Sequence, residues 1–225
     1  MIQYKNVSLA DRVYEQLEYN ILSGKYAIGE IITEKRLSEE LGVSRTPIRE
    51  AMSKLSHERL IRETSNGSEV VGITVDDVKD LFEVKRRLET FATRRAAANM
   101  SKEGLKELKE NLDEQEFFAQ KHDAVKVRDL DTAFHDIIYR ECGSVVLESI
   151  LSPIHHKMMK YRRVSLEKSN RIFDSVDEHK AIYEAILSGE GDKVETIMLI
   201  HIDHAFSSIM EVSKQYGFVC SRKDN

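Results

Sequence analysis

Long helical periodicity after residue 75 is the feature that most constrains the fold of this chain. From there onward, apolar residues recur every three or four positions in six segments, each long enough for several helical turns. The predicted helices cover Val78–Asn99, Lys102–His122, Ala124–Glu141, Val145–Val164, Val176–Leu187 and Asp192–Gln215. Helices of this length, joined by short connections, pack as an antiparallel bundle. The sequence therefore predicts an all-helical domain over residues 75–225.

The composition agrees with a mostly helical chain. Only ten Gly and two Pro occur in 225 residues, which is too few for a turn-rich β fold or a disordered chain. With 34 basic and 39 acidic residues, the net charge is -5. That balance excludes a uniformly basic protein that coats nucleic acid, but it allows a local basic face.

The compartment is predicted from cysteine usage and from hydropathy. Two cysteines cannot form a disulfide scaffold, so a reducing compartment fits better. The first residues contain no apolar core of a signal peptide, and no apolar run approaches the roughly 20 residues of a membrane-spanning helix. We therefore expect a cytoplasmic protein with no membrane partner.

Residues 1–74 have a different character, with short helices followed by a hairpin. Three polar residues are predicted to cap successive helices: Ser8, Thr33 and Ser44. The stretches Leu60–Thr64 and Glu69–Ile73 are predicted strands, and Asn66-Gly67 between them favours a hairpin turn. This order of elements is that of a winged helix-turn-helix, a DNA-binding domain.

The third helix has the properties of a helix that reads DNA. Its apolar residues Ile48, Met52 and Leu55 face inward, which leaves Arg45 and Arg49 one turn apart on the outside. The N–H groups at a helix N-terminus favour phosphate, and an arginine that bonds guanine twice discriminates by about 1–3 kcal/mol. A charged helix face is usually only solvated surface, but the order of the surrounding elements favours DNA binding.

A family resemblance supports this interpretation. The stretch EKRLSEELGVSRTPIREAMSKLSHERLI resembles the helix-turn-helix of GntR-family bacterial transcription regulators, and the similarity covers roughly residues 7–74. The resemblance implies contacts with double-stranded operator DNA from Arg36, Ser44, Arg45, Thr46, Arg49 and Gly67. Gly67 would approach the minor groove from a wing, SNGSE, that is less basic than many wings of the family.

Four polar residues of the helical domain lie where the apolar stripes predict buried side chains: Asp131, His135, His179 and His201. Asp131 and His135 are one helical turn apart and share a face with Phe134. Buried carboxylate and imidazole groups need partners, and a divalent cation would satisfy all four. This donor set suits Zn, Ni, Mn or Fe, and it does not choose among them.

The alternative for each of these four residues is a hydrogen-bonded core position, which is the usual role of a single histidine on an apolar face. Their occurrence on three helices favours the metal site. Other histidines are weaker candidates: His204 is one turn from His201 and could replace it, whereas His155 and His156 are adjacent and point in different directions.

A second resemblance selects the same residues. The segments LFEVKRRLETFATRRAA, DLDTAFHDIIY, DEHKAIYEAILSGEGDKV and HIDHAF resemble the FCD effector-binding domain of the FadR subfamily, over roughly residues 76–212. Metal-binding members use an Asp and a His of a DxxxH motif and two later histidines. These correspond to Asp131, His135, His179 and His201.

The same resemblance implies that the effector is a small carboxylic acid. Lys85 stands where members of the family often carry Arg, and an ammonium group lacks the two-pronged geometry of guanidinium. Tyr161 and Arg162 are further candidate contacts of the effector.

The sequence and these resemblances therefore predict a ligand-responsive bacterial regulator of transcription that acts as a homodimer on palindromic DNA. Regulators of this family are more often repressors than activators, so the resemblance implies a repressor. One alternative is a regulator that binds acyl-coenzyme A without metal. Another is a helical metal-dependent hydrolase, suggested by His135-Asp136. Against it, Asp136 points away from His135, and no carboxylate is obviously poised as a general base, Glu178 being the nearest candidate.

Overall fold

The computed structural model describes residues 8–168, 171–216 and 219–220, in which nine α-helices and five short strands are present. In chain order these are α1 (Leu9–Leu22), β1 (Ile31–Ile32), α2 (Glu34–Leu41), α3 (Arg45–His57), β2 (Ile61–Thr64), β3 (Gly67–Val70), β4 (Ile73–Thr74), α4 (Val75–Asn99), α5 (Lys102–Gln120), α6 (Ala124–Glu141), α7 (Val145–Lys168), α8 (Arg171–Ser188), α9 (Gly191–Tyr216) and β5 (Val219–Cys220). The predicted fold class, mostly helical with a small sheet near the N-terminus, is confirmed.

The chain divides into two compact units. The first contains the described residues up to Asp76 and those from Ser213 onward, and the second spans Asp77–Val212. The sequence-based division differs mainly at the C-terminal end, which it assigns to the helical domain. In the structure this end joins the first unit because β5 pairs in parallel with β4, with Ile73 opposite Val219.

The helices of the first unit begin at the predicted caps, with one correction. Ser8 Oγ accepts a hydrogen bond from the backbone N–H of Asp11 at 3.0 Å, and Thr33 Oγ1 accepts one from Arg36 at 3.3 Å. Ser44 occupies the N-cap position of α3, but its side chain makes no capping hydrogen bond. Pro47, three residues on, has no N–H to offer, which removes one of the two usual donors to a cap.

The predicted hairpin is present, and a strand that the sequence analysis assigned to a loop extends it. β2 and β3 pair in antiparallel fashion, with Thr64 opposite Gly67, and β1 pairs with the other edge of β3. A strand of two residues is too short to show the alternation that predicts strands. The predicted second strand also splits, because β3 ends at Val70 and β4 begins at Ile73.

Gly67 is required by this sheet. Its φ is +134°, and a Cβ at this position would lie 2.7 Å from the backbone oxygen of Ile32 in β1. Any other residue would push β1 and β3 apart, so the sheet by itself accounts for a glycine at the position where the resemblance places a DNA contact.

In the helical unit, all six predicted helices are present, but α4 buries a different face from the predicted one. The apolar residues Leu81, Val84, Leu88 and Phe91 recur at helical spacing, which predicts that they share the buried face. In the structure Phe91 is 47% exposed, whereas Phe82 is fully buried. Lys85 and Glu89 are buried on the same side as Phe82. The apolar pattern misplaced this face because two of its central residues are charged. Within the described residues, no helix is both long enough and apolar enough to cross a membrane.

Candidate functional site

The four predicted metal ligands come together in the core of the helical unit. Asp131 and His135 lie on α6, His179 on α8 and His201 on α9, and all four side chains are buried. The three histidines each offer a ring nitrogen, and these atoms lie within 4.8 Å of one another. The carboxylate oxygens of Asp131 lie 3.9 Å from His135 Nε2 and 3.8 Å from His179 Nε2. This donor set has the chemistry of a site for one divalent cation.

Each of the three histidines turns its other ring nitrogen toward an acceptor oxygen. The contacts are His179 Nδ1 with Gln115 Oε1 at 2.8 Å, His201 Nδ1 with Glu178 Oε2 at 2.7 Å, and His135 Nδ1 with Glu89 Oε1 at 2.6 Å. An acceptor at Nδ1 keeps the proton of a neutral imidazole there and leaves the lone pair on Nε2. Metal-binding histidines in proteins are oriented in this way by carboxylate or carbonyl partners.

His135 Nδ1, although close to Glu89, is among the buried atoms that make no hydrogen bond within the described residues. Three further unpartnered atoms face the centre of the cluster: His135 Nε2, His179 Nε2 and Asp131 Oδ1. A buried polar atom without a partner costs about 1–3 kcal/mol, so most such atoms in folded proteins are satisfied. Each of these atoms offers a lone pair and none offers a proton. A cation would satisfy all three at once, and hydrogen bonds among them could not.

A chain of hydrogen bonds from α5 orients the amide of Gln115. Gln115 Nε2 donates to Asn111 Oδ1 at 2.6 Å, and Asn111 Nδ2 donates to the backbone carbonyl of Leu130 at 3.1 Å. Because a carbonyl only accepts, this chain leaves Gln115 Oε1 as the acceptor that faces His179. The sequence analysis missed both amides. Their signal is a pair of polar residues one turn apart on the buried stripe of Leu108 and Leu112.

Burial and neighbouring charges set the protonation of the cluster. Burial lowers the pKa of His179 well below its ordinary value and lowers the pKa of His201 to about 4. Burial alone would raise the pKa of Asp131, but the charge of Arg162 and the contact with His155 hold that pKa well below its ordinary value. Near neutral pH the cluster therefore holds the neutral imidazoles of His179 and His201 and an ionised carboxylate, the forms that bind a cation.

We expect the metal-free protein to lose stability as the pH falls from about 7.5 to about 5. The pKa of His201 is about 4 in the folded protein, whereas an unperturbed histidine titrates near 6.5. The unfolded chain takes up the proton first, so acid favours unfolding, and His201 alone contributes about 2 kcal/mol over this range. Urea unfolding of chelator-treated wild type and His201→Gln measures the effect. Equal pH dependence in the two proteins would contradict it.

The cluster has a further member, His155 on α7, which the sequence analysis ranked among the weaker candidates. This side chain is 1% exposed, its ring lies 4.2 Å from that of His135, and its Nε2 lies 3.3 Å from Asp131 Oδ1. Lys85 Nζ lies 2.8 Å from His155 Nδ1. An ammonium group can only donate, so Nδ1 accepts and the proton of the neutral ring lies on Nε2. The N–H of His155 therefore lies on the side of Asp131, although the two side chains make no hydrogen bond through these atoms.

Lys85 is part of this buried network. Its Nζ lies 2.8 Å from Glu89 Oε2 and is only 7% exposed, in addition to its contact with His155. Glu89, His135 and His155 are also close enough to share an ion. The ammonium group of Lys85 already contacts Glu89 and His155, so it supplies the positive charge that a metal ion would otherwise provide to these three residues.

Arg162 has an unused donor beside the cluster. The side chain is 4% exposed, NH1 lies 3.4 Å from Asp131 Oδ2, and NH2 has no hydrogen-bond partner among the described residues. A cavity of about 10 Å³ lies between Arg162, Lys85, His155 and His201. This volume corresponds to about one water molecule. Tyr161 belongs to α7, and its side chain is outside the described ones.

His204 does not join the cluster. Its side chain is 58% exposed, and its Nδ1 bonds Glu178 Oε1 at 2.7 Å. Arg171 NH1 donates to the same carboxylate at 2.7 Å. Burial would raise the pKa of Glu178, but the hydrogen bonds from His201 and Arg171 lower it. Glu178 is thus an ionised acceptor that orients His201, which makes it a poor general base.

The six predicted DNA contacts all lie in the first unit. Ser44, Arg45 and Thr46 are exposed at the start of α3. Arg36 NH1 lies 2.7 Å from Glu30 Oε1, and its guanidinium lies over the ring of Tyr26. The sequence analysis did not single out Lys35, which is exposed beside Arg36 in the first turn of α2.

The remaining two predicted contacts lie on opposite sides of a cleft between α3 and the hairpin. Arg49 Nε donates to Glu34 Oε1 at 2.8 Å. A cleft of about 410 Å³ is lined by Arg49, by Ser53 and Ser56 of α3 and by Gly67 of the hairpin. The charged start of α3 and the hairpin tip are thus the exposed features of this unit that suit DNA.

Two family descriptions match the chain. Residues 9–71 match the bacterial regulatory proteins of the gntR family, and residues 80–204, more than half of the chain, match the FCD domain. The first match covers the three short helices and the hairpin, and the second covers the helices that carry the histidine cluster.

Curated relatives are similar over nearly the whole chain. The gluconate operon transcriptional repressor of Bacillus subtilis is 26% identical over 205 residues, which are 89% of this chain and 83% of that protein. The HTH-type transcriptional repressor RspR of Escherichia coli is 24% identical over 205 residues, which are 91% of this chain and 90% of that protein. These relatives are regulators of transcription rather than enzymes.

Solved structures share the fold. E. coli McbR/YncC superposes with a TM-score of 0.66 at 18% identity and covers 92% of this chain and 99% of its own. Lar, which controls expression of the Listeria monocytogenes agr system, superposes with a TM-score of 0.68 at 20% identity. The superposition covers 91% of this chain and 98% of Lar.

Proposed function

The chain belongs to the FCD-domain members of the GntR family and is a DNA-binding regulator of transcription rather than an enzyme, and from that premise we propose that it is a repressor controlled by a divalent metal ion and a small carboxylate. In this proposal residues 1–74 bind operator DNA, and residues 75–225 bind the effector and form a homodimer in the cytoplasm. The observation that carries the metal and effector part is the convergence of three imidazole lone pairs with the Asp131 carboxylate.

Asp131, His135, His179 and His201 would hold the metal. Support comes from the oxygen atoms that lie beside all three Nδ1 atoms, from the unpartnered atoms at the centre, and from the lowered pKa values of His179 and His201. The donor set leaves Zn, Ni, Mn and Fe as candidates. With four protein ligands, the ion would supply a Lewis acid with room for an oxygen of the effector.

Arg162 is the residue that best suits the second end of a carboxylate effector. Its NH2 group is buried and unpartnered, and its NH1 already lies beside Asp131. Lys85, another predicted contact, is already paired with Glu89 and His155, so we assign it to the buried network and not to the effector. One relative represses a gluconate operon, and gluconate is a small carboxylate. The FadR subfamily assignment remains a prediction.

The homodimer follows from the way such proteins read DNA. A two-fold dimer places two copies of α3 on a palindromic operator. Effector binding changes the spacing of the two DNA-binding units only if the effector binds one arrangement more tightly than the other. The acyl-coenzyme A alternative has less support, because a metal-free bundle would leave the buried Nε2 atoms of His135 and His179 without a partner.

The proposal is tested by measuring DNA affinity with and without carboxylates. DNA selected from a randomised library by the wild-type protein serves as the probe, and a panel of sugar acids and dicarboxylates is titrated into metal-loaded and metal-stripped protein. We expect at least one acid to change the affinity of the loaded protein by about 5–150-fold and to have no effect on the stripped protein or on Arg162→Leu. An equal response of stripped and loaded protein would contradict the metal-dependent site.

A further inference from the structure

Arg49 of α3 is held by Glu34 of α2 in a two-pronged contact. Arg49 Nε donates to Glu34 Oε1 at 2.8 Å, and Arg49 NH2 donates to Glu34 Oε2 at 2.9 Å. Glu34 is the first residue of α2, and Arg49 lies one turn inside α3. The contact therefore spans the two helices of the helix-turn-helix and fixes the direction of a long side chain.

This contact uses one particular edge of the guanidinium group. Arginine carries five N–H donors in a rigid plane. Pairing through Nε and NH2 consumes the side edge and leaves the end edge, where NH1 and NH2 present two parallel N–H bonds. Two parallel donors are what the O6 and N7 acceptors of guanine require in the major groove. The Arg49 side chain is 70% exposed, so the free edge is accessible.

A buried arginine elsewhere in the chain provides the contrast. Arg171 pairs with Glu178 through NH1 at 2.7 Å and NH2 at 2.5 Å, which consumes its end edge. An arginine held in that way no longer has its end edge available for a base. Arg49 is held from the side, so the carboxylate restricts its motion without occupying the donors that would read guanine.

We propose that Glu34 is a positioning residue that presents the end edge of Arg49 to one guanine in each half of the operator. The inference rests on the role of α3 in reading DNA. Fixing the side chain in advance reduces the conformational freedom that is lost when it bonds to a base. The opposite possibility is that Glu34 only competes with DNA for Arg49, in which case removing its charge would strengthen binding to every sequence.

The experiment compares Glu34→Gln with Glu39→Gln in the full-length protein. Glu39 is an exposed residue of the same helix, so its replacement removes an equal charge without touching Arg49. The probes are duplexes selected from a randomised library by wild type, with each guanine in turn replaced by 7-deazaguanine, which lacks N7. Thermal unfolding of each variant checks that the fold is intact.

For wild type and Glu39→Gln, we expect one 7-deazaguanine in each half-site to weaken binding by about tenfold or more. For Glu34→Gln this penalty should fall to about threefold or less. It should also fall in Arg49→Lys, which keeps the charge but lacks the planar pair of donors.

Three results would overturn the inference. In one, Glu34→Gln keeps the same penalty as Glu39→Gln, whether or not it binds all DNA more tightly. In another, the penalty is unaffected by Arg49→Lys, so that another residue reads the guanine. In the third, wild type selects no sequence over bulk DNA, which would also overturn the role of α3 in reading DNA. The first two results would leave that role of α3 intact.

Discussion

Replacing His179 by alanine is expected to abolish the response of the protein's stability to metal. His179 contributes one of the three imidazole lone pairs, and its Nε2 has no other partner among the described residues. A ligand that binds only the folded state, present at about 1,000 times its Kd, stabilises that state by about 4 kcal/mol. We therefore expect a metal-dependent rise of roughly 10 °C in the unfolding temperature of wild type and none in the variant.

His204→Ala is the matched control for that substitution. His204 bonds the same Glu178 carboxylate that orients His201, but its side chain is exposed and outside the cluster. Calorimetry of all three proteins, with and without a chelator, measures the response separately from any loss of packing. A full metal response in His179→Ala would contradict its assignment as a ligand, and so would an equal loss in His204→Ala.

Replacing Arg45 by alanine is expected to weaken binding to selected DNA by about 10–100-fold, which corresponds to roughly 1–3 kcal/mol. Arg45 is exposed at the first position of α3, where the helix N-terminus and the adjacent Ser44 hydroxyl also favour a phosphate or a base edge. Loss of a phosphate contact would lower the salt dependence of binding by about one counterion, whereas loss of a base contact would reduce discrimination between sequences.

Fluorescence anisotropy with selected and scrambled duplexes at several salt concentrations measures both quantities. Arg87→Ala is the control, because Arg87 is an exposed arginine of α4 in the helical unit. An Arg45→Ala protein that folds normally and keeps wild-type affinity and salt dependence would remove Arg45 from the DNA interface.

Much of the fold follows from the sequence because its signals are long or local. The six helices of the second unit each contain several turns of apolar periodicity, and Ser8 and Thr33 form the predicted caps. β1 has only two residues, and its place in the sheet depends on pairing with β3, which no local pattern reveals. Ser44 occupies its predicted N-cap position but makes no side-chain capping hydrogen bond, and Pro47, visible in the sequence, removes one of the two usual donors.

The candidate metal site was only partly predictable. The four residues with lone pairs or a carboxylate at the centre lie on apolar stripes, so their burial could be inferred one helix at a time. Glu89, Gln115, His155 and Glu178 form the surrounding network, and their roles depend on how separate helices meet. Lys85 and Glu89 were hidden for a further reason: each would be too costly to bury alone, and they are buried as a pair at 2.8 Å.

The central claim is that the buried cluster of one aspartate and three histidines is a metal centre. Its most direct test is the metal content of untagged wild-type protein by mass spectrometry, with X-ray absorption at the edge of the bound metal to identify the donor atoms. The account predicts about one divalent ion per chain, bound by three imidazole nitrogens and at least one oxygen. No metal in the purified protein, and none retained after Zn or Ni is added back, would mean that the cluster is only a polar network within the core.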